Sequence, residues 1–518
     1  MNFRKRFSLL FFFAVSCAMI AQDIPFDFTI GEKYNDRYKF SNLLTISEDG
    51  TGGTFLVRSY YSGIVLKPKG YFIEHYDANM QLINEYNYKL RDANLVNGYV
   101  ANGQIYLIFL NYDHEAFAYE YSVHRSPLSG MNFTKESLLK ISSQEVSNPL
   151  DKNYYNRNFS SGFTTSVLFN AKKNAFVIST HFKKGKNNQH FIYLFNANLQ
   201  KIIAHDFSAE VEEKNYAFEN VAFSNNWEEA YIVGKAYFKK RRFQTTERKF
   251  QYELIKISRS GAQTQTFDVP GKFSEALIPI VKGENLLCVG FYANRKDNRY
   301  NGLAYFNINP RTLTVNSKKY SPFSEQFMMD KFGREEDKVI KDLVFKNVDV
   351  ANDGSIHFNA EEYFVTRSVQ ANSSGGRLKV TRYHHNDIVS AKLSAAGDML
   401  WARNINKAEV TQTDGAYASY SSYTKDGNTY FFISTSAENP QLMSGDRLLF
   451  KQGFSRNRNV FVIKLDENGH LSYKKLIDDN EARLPLMVSS PLVNRLENKI
   501  LFYAKRGSKK QLVKVSLN

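Results

Sequence analysis

Few residues in this chain are placed to do chemistry. His384-His385-Asn386-Asp387 sets two imidazoles beside a carboxylate, the donor types that a transition metal takes. Adjacent residues on extended chain point to opposite faces, so the two rings cannot readily share an ion, and no further ligand set accompanies them. They are expected to be structural or surface histidines. Glu361-Glu362 could offer the two carboxylates of a glycoside hydrolase, but strand alternation separates that pair too. A nucleophile elbow, a phosphate loop and paired Cys motifs are absent. Cys288, inside Leu286-Leu287-Cys288-Val289, reads as a small buried hydrophobe rather than a reactive thiol. The expected catalytic, cofactor-binding and metal-binding sets are therefore empty.

The elements that carry these residues are hairpins. Val460 to Leu465 alternates, Asp466-Glu467-Asn468-Gly469 supplies turn chemistry, and Leu471 to Ile477 returns as a second strand. Asp49-Gly50, Asp353-Gly354 and Asp426-Gly427 mark comparable turns that need positive φ. Ser47-Glu48-Asp49-Gly50 superficially resembles the Asp box of sialidase propellers, but its Gly is one position early and the aromatic residue is missing. With 42 Phe and 32 Tyr against 11 Pro, the chain favours ordered β structure.

A four-strand order recurs from Asn42: strand, tight turn, strand, variable loop, strand, tight turn, strand. Copies fall at 42–90, 93–141, 164–207, 218–269, 274–321, 343–405 and 417–477. The last, 486–517, shows three strands, and Ile24 to Ile30 is an orphan strand that would complete it beside Gln511 to Leu517. The expected fold class is all-β, a single propeller over 22–518. This pattern resembles an eight-bladed β-propeller closed by its two termini, with seven blades left open. Two insertions interrupt it, at 142–162 and 322–342. In the second, Phe323, Phe327, Met328 and Phe332 fall at helical spacing after Pro322, and Glu335-Glu336-Asp337-Lys338 follows as a charged, exposed turn. The stripe is expected to pack on the propeller, the rival being an interaction helix open to a partner.

In such a ring the loops joining second and third strands share one face. These are 66–69, 114–117, 183–189, 239–249, 293–301, 370–387, 437–459 and 506–510, and all but 114–117 carry net positive charge. Together they exceed the +16 of the whole chain, so the basicity is expected on one face. The candidate partner-binding residues are Lys183, Lys184, Lys186, Lys239, Lys240, Arg241, Arg242, Arg248, Lys249, Arg456 and Arg458.

The chain opens with basic Arg4-Lys5-Arg6 and an apolar run to Ala21, a secretory signal peptide over 1–21. Its apolar core is too short to span a bilayer. Ala14-Val15-Ser16-Cys17 is a weak lipobox and leaves lipid anchoring as the alternative. Export disfavours nucleic acid as the partner despite a pI near 9.3. The expected partner is an envelope or outer-membrane protein with an acidic surface, or an anionic glycan or lipid headgroup. The last blade strand, Leu512 to Leu517, ends the sequence with no sorting domain appended, which favours the periplasm over the cell surface. In size, address and inferred fold the chain resembles bacterial envelope propellers, including plug-type soluble subunits of the type IX secretion translocon. That resemblance implies a non-enzymatic scaffold docking on a secretion channel. A carbohydrate-binding or glycan-cleaving propeller is the competing class, and it requires an axial pocket lined by carboxylates and aromatic rings.

Overall fold

The strands with the richest apolar runs have no solvent face. Thr54–Ser62 is buried over its first seven residues, and Asn459–Leu465 is buried throughout. Strands of this kind form the middle pair of a sheet that is packed between two other sheets, and the strands at the sheet's two edges are more exposed, as in Phe40–Glu48 and Leu82–Tyr88. A computed structural model describes residues 24–517, apart from 64–65, 92, 147–161, 171–172, 185–186, 212–213, 240–248, 296–298, 335–339, 372–375, 413–414 and 453–458. Residues 1–21, read from the sequence as a signal peptide, and most of the 142–162 insertion lie outside the described residues.

The fold is an all-β propeller. Seven sheets follow one another along the chain, each built on four antiparallel strands, over 40–88, 93–142, 163–206, 214–266, 273–322, 343–408 and 421–477; the sixth also takes in Val410–Thr411, Leu448–Lys451, which pairs in parallel with Met399–Ala408, and Gln441–Leu442. An eighth is composite. Leu492–Asn494, Lys499–Arg506 and Lys509–Leu517 supply three strands, and the N-terminal Phe26–Ile30 pairs outside them, Phe26 opposite Leu517 and Ile30 opposite Val513. This is the closure expected from the sequence. Phe26 then lodges edge-on against Tyr430 and Phe432 of the seventh sheet, at 4.9 and 5.2 Å. Such contacts hold a terminal strand that would otherwise fray.

The hairpin at 459–477 is as read from the sequence. Asp466 Oδ1 accepts from the backbone N–H groups of Asn468 and His470, both at 2.9 Å, and Gly469 has φ +81°. Its turn also docks sideways, because the Trp401 indole N–H donates to the Glu467 carbonyl at 2.9 Å. Gly50, Gly354 and Gly427 likewise have positive φ, as their turns require. Cys288 is fully buried, and burial pushes its thiol pKa well up. Among the described residues no helix is long and apolar enough to cross a membrane.

The seam between the eighth and first sheets is sealed by charge. Arg58 is 0% exposed. Its Nε donates to Glu74 Oε1 at 2.6 Å, and its Nη1 to Asp36 Oδ2 at 2.6 Å and Ser41 Oγ at 2.7 Å. Lys510 reaches Glu74 Oε1 at 3.0 Å and also pairs with Glu85, while Lys505 pairs with Asp36. Burial alone would push the Glu74 carboxyl up, but Arg58 and Lys510 outweigh it and hold it below the carboxylate range. The sequence places Lys510 in the basic loop 506–510. The structure corrects this: the third strand of the terminal segment runs Lys509–Leu517, and its register turns Lys510 into the seam.

Breaking a buried ion cluster from one side leaves a charge without its partner, at about 3–5 kcal/mol. Lys510→Met should therefore lower global stability by about 3 kcal/mol in urea unfolding, and adding Glu74→Gln should recover part of the loss. A Lys510→Met chain as stable as the wild type would show that the seam does not depend on this pair.

Candidate interaction face

The connection between the second and third strands of the sixth sheet departs from the loop expected at 370–387. Those strands, Ile356–Ala371 and Arg377–Leu393, are 16 and 17 residues long and continue as a two-stranded arm past the inner strand Leu343–Val350, whose pairing stops at Glu362. The correction has a local cause. Tyr363 to Gln370 and Leu378 to His385 carry β-branched and aromatic residues in alternation, so a ladder persists, with Ser368 opposite Val380 and Gln370 opposite Leu378. At ~3.4 Å per residue, Tyr363 to Ala371 reaches about 30 Å.

The arm is bolted at its base. Helix α1, Glu325–Phe332, is capped by Ser324, whose Oγ accepts from Phe327 N–H at 3.2 Å, and ends at Gly333 with φ +70°. Pro322, read as a helix start, instead ends the outer strand of the fifth sheet, and the helix begins three residues later. Phe327 is fully buried, Phe323 stacks on it at 4.2 Å, and Phe323, Met328 and Phe332 pack on the core between the fifth and sixth sheets. The aromatic stripe thus faces the propeller. The charged turn at 335–338 lies outside the described residues. Lys331 Nζ bonds Glu362 Oε2 at 2.7 Å and Asp387 Oδ2 at 2.6 Å, one from each strand of the arm.

Glu361 and Glu362 part company, as strand alternation requires. Glu361, fully buried, accepts from Ser419 Oγ at 2.8 Å and lies 3.2 Å from His385 Nδ1, 3.3 Å from Lys407 Nζ and 3.2 Å from Lys346 Nζ. Burial would raise its pKa, yet the His385 hydrogen bond and the two lysines hold it at about 2. Lys407 also bonds Glu409, at 2.8 Å, whose carboxyl is pushed up by its burial. Although Ser, His and Glu meet here, Ser419 donates to the carboxylate and not to the imidazole, which is not the order of a nucleophilic triad. The network anchors strands. His384 faces the other way and stacks on Phe364 at 4.3 Å, so the two histidines take opposite sides.

An axial cavity of about 660 Å³ is lined by Glu219, Lys235, Tyr252, Tyr300, Lys346 and Asn347, among others. Glu219 is committed, to Lys235 Nζ at 2.9 Å and to the Tyr252 hydroxyl at 2.9 Å, and the Lys235 ammonium lies 5.4 Å from the Tyr252 ring.

Of the predicted loop cations, Lys183 and Lys184 sit in strand pairing opposite Asn188 and Asn187. Lys239 is exposed and donates to the Val211 carbonyl, and the Lys249 carbonyl accepts from Phe238 N–H at 3.1 Å. Lys186, Lys240, Arg241, Arg242, Arg248, Arg456 and Arg458 lie outside the described residues. Reading the sequence for loops misses Arg367 and counts Arg377 and Lys379 only within the charge of 370–387, without naming them as candidates; all three lie on the arm. All three are exposed, and no hydrogen bond or ion pair ties them to a described residue. The four cations and no carboxylate between Tyr363 and Asn386 were the available signal.

No family model matches the chain, and no curated protein matches it. Solved structures similar to it include a prolyl endopeptidase (8% identity, TM-score 0.35, covering 83% of this chain and 46% of that one). The chain thus spans about half of that protein's length. Others are the β-propeller domain of the Trilobed protease from Pyrococcus furiosus (10% identity, TM-score 0.35, 86% and 98%) and quinohemoprotein alcohol dehydrogenase from Comamonas testosteroni (9%, 0.43, 94% and 76%). At these values the likenesses say nothing about activity.

Acid should loosen the ring in two stages. Burial holds His124 and His190 at about 4, each against a hydroxyl, Tyr88 at 2.5 Å and Ser179 at 2.7 Å. The unfolded chain protonates them near 6.5 and the folded chain resists, so their contribution, about 2 kcal/mol each, is lost as pH falls from 6.5 to 4. Glu361 adds stability above about 4.5 that disappears as pH falls toward 2. Denaturant midpoints should therefore drop between pH 7 and 4.5, less so in His124→Gln/His190→Gln, and again below pH 4. A flat profile from 7 to 4.5 would contradict the first stage.

Proposed function

We propose that this propeller is a non-enzymatic interaction subunit of a bacterial envelope complex, exported by the segment 1–21 and working in the periplasm. The observation that carries this reading is where the spare cations lie. Lys331, Lys407, Lys505 and Lys510 are all consumed by internal carboxylates, whereas Arg367, Arg377 and Lys379 stand exposed on an arm beside Val365 and Val369, which are 40% and 60% exposed. Exposed cations with apolar neighbours suit a partner with an acidic surface, and such charge chiefly speeds and orients the encounter. The loop residues Lys239 and Lys249 extend the same charge to another blade. In its most specific form the proposal has this face docking on an outer-membrane secretion channel.

A second reading, a glycan-binding propeller, is favoured by the axial cavity, where Tyr252 and Tyr300 stand beside Glu219. Because Glu219 is already paired with Lys235 and Tyr252, binding is better supported than cleavage, which needs an acid and a base across the bond.

The test is recovery of the complex. Tagged full-length chain, crosslinked in envelope extracts of its source bacterium, should retain a specific envelope protein at low salt and lose it on raising the salt severalfold. Lys239→Glu/Lys249→Glu should weaken recovery at least threefold without changing the thermal midpoint. Recovery indifferent to both salt and charge reversal would overturn the basic-face proposal. Saturable binding of a soluble glycan, abolished by Tyr252→Ala, would favour the second reading.

A further inference from the structure

The arm has two faces of unlike chemistry. On one, Thr366 Oγ1 and His384 Nε2 are hydrogen-bonded at 2.9 Å, Arg382 Nη1 donates to Ser368 Oγ at 3.0 Å, and Val380 is only 8% exposed. Those polar groups are satisfied from within the arm, although Leu378 on the same face is 59% exposed. The other carries Val365, Arg367 and Val369 on one strand, opposite Tyr383, Thr381 and Lys379 on the next, and its valines and cations are open to solvent.

The arm also has unlike edges. The strand Arg377–Leu393 is flanked near its base by Val410–Thr411, which pairs with Tyr383 and His384. The strand Ile356–Ala371 loses its inner neighbour at Glu362, and among the described residues no strand pairs with its inner edge from Tyr363 to Ala371, its other edge being laddered to Arg377–His385. One backbone contact marks the point of departure, from Tyr363 N–H to the Asp342 carbonyl at 2.8 Å. Beyond it, the eight residues Phe364 to Ala371 present a strand edge in line with an intact sheet, the geometry that accepts an added strand.

Charge decides what kind of strand. A second copy of this chain would bring the same cations, and like charges placed opposite each other across a ladder are destabilising. An anionic strand reverses that sign. Side chains on alternate residues of an incoming segment would lie over Val365, Arg367 and Val369, so the fitting sequence alternates acidic and β-branched residues. We infer that the edge from Tyr363 to Ala371 docks an extended, acidic segment of a partner protein by strand addition. The inference rests on the reading of this face as a protein-binding surface and specifies how the partner is held. A base bolted by Lys331 to both strands keeps the edge in place before the partner arrives, which lowers the ordering cost of binding.

Three peptides of equal length test this on the full chain: fluorescent (Glu-Val)5, (Lys-Val)5, and (Glu-Val)5 with alternate backbone amides N-methylated. Expected are saturable anisotropy with (Glu-Val)5 only, slowed amide exchange within 363–371, and an affinity at least tenfold weaker in Arg367→Glu/Lys379→Glu with the thermal midpoint unchanged. The N-methylated peptide needs no variant. It keeps the charge and removes the ladder, so equal binding of that peptide would overturn strand addition. Binding to phosphatidylglycerol vesicles without binding to (Glu-Val)5 would assign the arm to a membrane surface and overturn the proposal. If the peptides fail while the envelope complex remains sensitive to salt and to Lys239→Glu/Lys249→Glu, the arm proposal falls and the interaction reading stands.

Discussion

Ring closure is the constraint on which everything else in this protein rests. A propeller sheet is buried on both sides only if it has a neighbour on each, so one failed seam would expose two sheets at once. Here the last seam is held by buried charges from three stretches of chain, Asp36, Arg58 with Glu74, and Lys505 with Lys510, while the Phe26–Ile30 strand completes the eighth sheet and packs on the seventh. Buried ion clusters seldom add net stability over an apolar seal, but they tolerate few alternative arrangements. In the observed register Lys510 meets Glu74 and Glu85, and a shift of one residue would turn its side chain to the other face of the strand.

Closure gives the sixth sheet a rigid frame from which to project. Its arm is secured at three levels: the ladder itself, Lys331 of the short helix across both strands, and the Glu361–Lys407–Glu409 network beneath. The helix is held in turn by Asp330, whose carboxylate takes Arg403 Nε at 2.5 Å, and by Arg447, which donates to the Lys331 carbonyl at 2.8 Å from the long connection of the seventh sheet. Three distant segments therefore converge on the arm's base. An element positioned this way is ordered before anything meets it, where a free loop of the same length would have to be fixed in place.

Much of the architecture was legible in local chemistry. Alternation in Val460 to Leu465 and the Asx turn at Asp466 repeat with enough regularity to number the blades, and the orphan Ile24 to Ile30 had one plausible mate. The arm was not legible as an arm. Gly375-Gly376 and the cations around them look like loop composition, although Tyr363 to Gln370 keeps strand alternation. The start of the helix was misplaced because Pro322 suits both a helix N-terminus and a strand's last residue, and only the Ser324 cap separates them.

Strand order, turn positions and the terminal closure are properties of the sequence itself, because they follow from period-two burial and from residues that tolerate positive φ, which act over a few neighbours. Which charges are available to a partner is not. Lys510 and Lys379 look alike in sequence, each in a basic stretch near a hairpin tip. Only the tertiary structure sets one against Glu74, more than 400 residues away in the chain, and leaves the other exposed on the face of the arm. Charge pairing depends on distance in space, and in a closed ring that distance is decided by the register of the final seam.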